Sequence, residues 1–118
     1  MATVGVFKPD ALIAGDFPTE VQAISITGPA EIKRGDVLGA TEDGNYVLVD
    51  STATDGSQDV VGIACDDITI EDGATAVSTM YIKGEYNRRC LRFGGTDTVE
   101  THIRRMTDIS LIVRGTRI

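Results

Sequence analysis

The residues of this chain best suited to nucleophilic or metal chemistry are two cysteines, Cys65 and Cys90, and a single histidine, His102. The cysteines lack C-x-x-C spacing and sit in no secretory context, so they read as buried, reduced thiols rather than as a disulfide or a metal pair. His102 lies two residues from Glu100 on an expected helix, which is not a metal-ligand spacing, and it reads as a surface or packing residue. Nucleophilic catalysis needs an activated Ser or Cys beside a base, and one histidine in a helical stripe supplies no triad. Asp66-Asp67 and Glu71-Asp72-Gly73 are acidic enough to bring calcium to mind, but the twelve-residue ligand spacing of an EF-hand is absent, so they read as solvated turns. Gly94-Gly95-Thr96-Asp97 lacks the lysine and the spacing of a phosphate-cradling loop. The expectation is a protein that is not an enzyme, with no metal site and no cofactor.

Two further short stretches carry functional readings. Arg34-Gly35-Asp36 matches the tripeptide read by integrins, which makes a trimeric host-surface adhesion domain one alternative, although three residues recur by chance in many proteins. Ile32-Lys33-Arg34-Gly35-Asp36-Val37-Leu38 resembles the strand-turn segment of biotinyl and lipoyl carrier domains, which makes a carrier-like β module the other. Such carriers present their modified lysine at a hairpin tip, whereas Lys83 lies at a strand end in Tyr81-Ile82-Lys83-Gly84.

The elements that hold these residues are legible from pattern and punctuation. Residues 31–40 and 46–50 are two aliphatic runs flanking Thr41-Glu42-Asp43-Gly44-Asn45, a corner that supplies positive φ cheaply, so an antiparallel hairpin is expected there. Gly35 and Gly39 bracket its first strand, where a missing Cβ allows a tight turn and a close neighbour. Residues 19–27 alternate as a strand, ended by Gly28-Pro29. Residues 51–59 form a polar loop, and Val60-Val61-Gly62-Ile63-Ala64-Cys65 is a continuous apolar run that fits a strand buried on both faces. Residues 76–83 alternate as a central strand, with Gly84 a bulge or bend at its end. Asn87 is the expected N-cap of a short helix over 88–93, stopped by Gly94 and Gly95. A second helix begins near Thr96 or Asp97, where Asp97 and Glu100 have capping-box spacing, and Val99, Ile103 and Met106 form its buried stripe. Residues 109–113 close the chain as a strand.

The first 18 residues differ from the rest. Val4, Val6, Phe7, Leu12, Ile13 and Phe17 are apolar anchors separated by Gly5, Pro9 and Gly15, with no sustained period, so residues 1–18 read as an extended arm. The expected class is α+β: a small mixed, β-rich domain of short strands and hairpins over residues 19–118, with two short C-terminal helices, preceded by an extended N-terminal arm. One domain suits 118 residues, and with 5% aromatic content and no Trp the core must be aliphatic. No apolar run reaches membrane-spanning length, and residues 1–9 lack the features of a secretory signal, so synthesis in a cytoplasm and no membrane partner are expected.

Charge is distributed unevenly. Residues 1–84 carry 4 basic and 14 acidic side chains, a net of −10, and residues 85–118 carry 7 basic and 4 acidic, a net of +3. An acidic body argues against nucleic acid as a partner, because phosphate binding needs clustered positive charge. Contact between unlike protein patches suits it better.

One resemblance spans most of the chain. Lys33-Arg34-Gly35-Asp36-Val37-Leu38-Gly39, Tyr46-Val47-Leu48, Asp55-Gly56-Ser57-Gln58, Val61-Gly62-Ile63-Ala64, Lys83-Gly84-Glu85-Tyr86-Asn87 and Phe93-Gly94-Gly95 before a helix follow one another in this sequence. In that order they resemble the lambda-type bacteriophage head decoration proteins over about residues 19–113. The resemblance implies a homotrimer on the outside of an icosahedral head at three-fold positions, clamping neighbouring copies of the major capsid protein after shell expansion. By position it also implies that the arm, through Val4, Val6, Phe7, Leu12, Ile13 and Phe17, contacts the capsid, while Gly35, Gly39, Gly84, Gly94 and Gly95 serve turns. On this reading Asp36→Ala is expected to be mild.

Overall fold

The computed structural model of the chain describes residues 12–14 and 18–114. Its elements, in order, are strands β1 (Glu20–Thr27), β2 (Ala30–Ile32), β3 (Val37–Ala40), β4 (Tyr46–Leu48), β5 (Val60–Ala64), β6 (Ile68–Ile70) and β7 (Thr75–Asn87), a 3-10 turn at Arg88–Cys90, helix α1 (Val99–Asp108) and strand β8 (Leu111–Arg114). The larger sheet runs β1-β7-β5-β3-β4, with β8 added in parallel to the end of β7, and β2 and β6 form a separate antiparallel pair.

Alternation in β3 and β5 explains the layering. Val37 and Ile63 point to one face of the sheet, where they meet Met106 of α1, Leu111 of β8 and Tyr86 in one apolar cluster. Leu38 and Ala64 point to the other face and meet Ile32 of β2, Ile70 of β6, and Ile24 and Met80. The strand expected to be buried on both faces is therefore sandwiched between α1 and the β2–β6 pair, and each fully buried aliphatic side chain contributes about 1.5–3 kcal/mol.

The hairpin expected around Asp43-Gly44-Asn45 is present as β3–β4, with Leu38 opposite Leu48 and Gly44 at a φ of 90°. Its first strand, however, is interrupted. Asp36 N donates to Lys33 O in a tight turn with Gly35 at a φ of 97°, so β2 leaves to pair with β6 and only residues 37–40 join the larger sheet. A Cβ on Gly35 would collide with the carbonyl oxygen of Cys90, and one on Gly39, inside β3 rather than at its end, would collide with Ser57 O. At both positions backbone lies where a side chain would have to go.

The two expected C-terminal helices reduce to one. Asn87 does cap, its side chain accepting from Arg89 N at 3.1 Å, but the helix it starts is a single 3-10 turn. Leu91 returns to an extended conformation, and Arg92 pairs with the Gly35–Val37 backbone through Arg92 N to Gly35 O and Val37 N to Arg92 O. Those tertiary hydrogen bonds outweigh weak local helix preference. Gly94 N then donates to Val49 O, and Gly95 has a φ of 58°, so both glycines turn the chain towards α1. The N-cap of α1 is Thr98, whose backbone N–H donates to Thr101 Oγ1, one or two residues beyond the expected start at Thr96 or Asp97.

Candidate functional site

Leu12, Ile13 and Ala14 are the described part of the N-terminal arm, and they are held by backbone. Asn87 N donates to Leu12 O at 2.8 Å and Ala14 N donates to Glu85 O at 2.9 Å, with Ile13 opposite Tyr86 in an antiparallel bridge. Leu12 is 1% exposed and belongs to the α1-side core. The expectation that Leu12 presents itself to a capsid is corrected: strand pairing turns it inward, beside Tyr86. Ile13, on the other side of the same short strand, is 41% exposed. Val4, Val6, Phe7 and Phe17 lie outside the described residues. The antiparallel bridge puts Leu12 at the Asn87 end of β7.

A second surface lies on the α1 side of β1 and β7. The register sets Val21 opposite Tyr81, Ala23 opposite Thr79 and Ser25 opposite Val77, so these six side chains share one face. None is charged. Val21 is 56% exposed and Val77 72% exposed, while Ile24, Ile26 and Met80 on the reverse face are buried. Among the described residues charge meets it at three places: Arg34 donates to Tyr81 Oη at 2.8 Å, Thr79 Oγ1 donates to Asp66 at 3.5 Å, and Lys83 pairs with Glu20. Strand β1 is also a sheet edge of eight residues without proline or lysine, the kind that proteins usually keep covered.

The turn at Lys33–Asp36 is built on a buried ion pair. The Asp36 side chain is fully buried and accepts from Lys33 N at 2.9 Å, Arg92 Nε at 2.6 Å and Arg92 Nη2 at 2.8 Å. The hydrogen bond and charge of Asp36 raise the Arg92 guanidinium still further above its ordinary value. Asp36→Ala is therefore not expected to be mild. Burial also removes this carboxylate from any receptor reading Arg34-Gly35-Asp36. Lys83, within β7 and facing Glu20, is not at a hairpin tip, so the carrier-domain lysine has no counterpart there.

His102 is buried, so of its two readings the packing residue holds and the surface residue does not. Its ring stacks on Phe93 at 5.6 Å between centroids, and Nε2 lies 2.7 Å from Asp97 Oδ2. Ser51 donates to the same carboxylate through its N–H and its hydroxyl, each at 2.7 Å. Here the aspartate is central and both Ser51 and His102 point at it, so the hydroxyl and the imidazole are not joined as nucleophile and base. Sequence spacing gave no signal for this cluster, because Ser51 is 46 residues from Asp97. Burial raises the Cys65 thiol above its ordinary value, which keeps it protonated and unreactive at neutral pH.

A family model described as bacteriophage lambda head decoration protein D matches residues 5–107. The chain belongs to that family. No curated protein matches it. Membership in the head decoration family makes this a structural capsid decoration protein of a bacteriophage, which is not an enzyme class, and places it on the virion capsid. The match begins well before β1, so the head decoration pattern takes in most of the arm as well as the folded domain.

Proposed function

We propose that this protein is a homotrimeric cement protein that binds the outside of an expanded bacteriophage head at three-fold positions and stabilises the shell against internal DNA pressure. Membership in the head decoration family carries this reading. The major capsid protein is its partner, reached by the arm of residues 1–18 through Val4, Val6, Phe7, Ile13 and Phe17; residues 19–118 form the decoration domain. Neither nucleic acid nor membrane is a partner, and synthesis is in the host cytoplasm.

Two features support the division of labour. The segment at 12–14 is tied to β7, and a stretch of 11 residues such as the one before it spans at most about 40 Å. Such a segment can add a strand to an open sheet edge of a capsid subunit, where main-chain hydrogen bonds give affinity and alternate side chains fill pockets. The uncharged face at Val21 and Val77 is then available for association between copies, as is the β1 edge before Thr27, whose own N–H and carbonyl are bonded to the Asn45 side chain.

The test mixes purified protein with expanded, undecorated heads and images them by cryo-electron microscopy. Trimeric density at three-fold positions, and filled heads that rupture at a higher temperature when decorated, are expected. Monomeric or dimeric density, or unchanged rupture, overturns the reading.

A further inference from the structure

The Ser51, Asp97 and His102 cluster is used by nothing in the proposed capsid binding, yet it buries two titratable side chains that are each only 5% exposed. Asp97 precedes the N-cap of α1, His102 lies on the first turn and a half of that helix, and Ser51 lies in the turn after β4. The three side chains therefore tie the start of α1 to a loop of the larger sheet. We propose that this cluster is an acid-releasable latch: it holds α1 closed on the sheet while Asp97 is ionised and opens when Asp97 takes up a proton.

The geometry dictates that order. An ionised carboxylate only accepts hydrogen bonds, so the Nε2 facing Asp97 carries a proton, as it does both in one neutral tautomer and in the imidazolium. Protonating the ring elsewhere leaves the contact intact and adds charge attraction. Protonating Asp97 removes an acceptor site from a carboxylate that serves three donors. Burial pushes the Asp97 carboxyl up, but the hydrogen bonds from His102 and Ser51 outweigh that and hold it below its ordinary value. A group depressed in the folded state stabilises above its unfolded value, about 3.9 for Asp, and that contribution is lost as pH falls through the folded value. Release therefore belongs below about pH 4.

The surrounding charges are committed elsewhere. Asp50, beside Gly95, accepts from Thr52 N and Thr52 Oγ1. Glu100 pairs with Arg88 at 2.8 Å on the outer side of the helix, and Arg105 Nε donates to Val60 O of β5.

Hydrogen exchange on the full chain, followed by NMR from pH 7 to pH 3 and corrected for intrinsic rates, tests the latch. Protection at Ser51 N–H and in the first turn of α1 should fall by up to about tenfold for each pH unit below about pH 4, the limit for uptake of one proton, while amides of β5 and β7 keep theirs. In Asp97→Asn the same amides should already be poorly protected at pH 7, with no acid step. The ring nitrogen signals of the wild-type protein provide a readout that needs no variant: a proton on Nε2 from pH 7 downwards is expected. A neutral ring protonated only on Nδ1, simultaneous loss of protection in α1 and β5, or an acid step retained in Asp97→Asn each overturns the proposal.

Discussion

Removing the Asp36 carboxylate tests the claim that the turn between β2 and β3 is set by a buried ion pair and not by its glycine alone. In Asp36→Ala the Lys33 N–H loses its acceptor and the Arg92 guanidinium loses two hydrogen bonds at 2.6 and 2.8 Å. A hydrogen bond to a charged group contributes about 1.5–3 kcal/mol net, and breaking a buried pair costs about 3–5 kcal/mol. The Arg92 side chain is 55% exposed, so water compensates its end of the pair and the upper figures do not apply. The expected loss is about 2–4 kcal/mol, a large share of the stability of a domain this size. Arg92→Ala should cost about 2–3 kcal/mol, because it strands a carboxylate that is fully buried. The double variant should resemble Asp36→Ala, giving a coupling of about 2–3 kcal/mol, the whole of the Arg92→Ala loss. Urea unfolding followed by circular dichroism measures all four proteins, at one protomer concentration because association shifts apparent stability. A loss below about 0.5 kcal/mol for Asp36→Ala, or simple additivity in the double variant, would refute the reasoning.

Truncation should separate the two parts of the arm. Removing residues 1–11 should leave the melting temperature nearly unchanged and abolish shell decoration, whereas Leu12→Ala should cost about 2–5 kcal/mol by urea unfolding because Leu12 is a core residue. Gly35→Val should lose about 1–3 kcal/mol or more, since positive φ and the Cys90 carbonyl both oppose a side chain there; a neutral result would show that the turn can rearrange. Val21→Asp with Val77→Asp should leave circular dichroism unchanged and abolish the proposed trimer, read by light scattering in solution and by density on heads, and trimeric density retained by the variant would remove that face from the interface.

Local pattern carried a good part of this fold. The alternation of β1, the apolar run of β5 and the Asp43-Gly44-Asn45 corner each place a strand or turn from neighbouring residues alone. What escaped was pairing across long stretches of chain. Nothing near Ile32 announces that it faces Ile68, and nothing near Asp36 announces Arg92, 56 residues later. The short helix expected after Asn87 failed for the same reason, since Arg92 is held by the Gly35–Val37 backbone. At the candidate site, Leu12 was misread because a Gly- and Pro-punctuated segment with no period gives no inward or outward face until it docks on β7. The uncharged face of β1 and β7 became visible only when register put Val21 and Val77 on one side.

Strand β7 gives the chain a timetable. During synthesis, β3 can pair with β4 and β5, and β2 with β6, as soon as those residues have been made. By contrast β1, the segment at 12–14 and the far side of β5 all take their partners from residues 75–87, so they must wait until three-quarters of the chain exists. Chains grow at roughly 5–20 residues per second, which leaves the open edge of β1 and the arm's apolar side chains unsatisfied for several seconds on each ribosome. That interval, set by the speed of translation between β1 and β7, is when unpaired strand edges are open to mispairing.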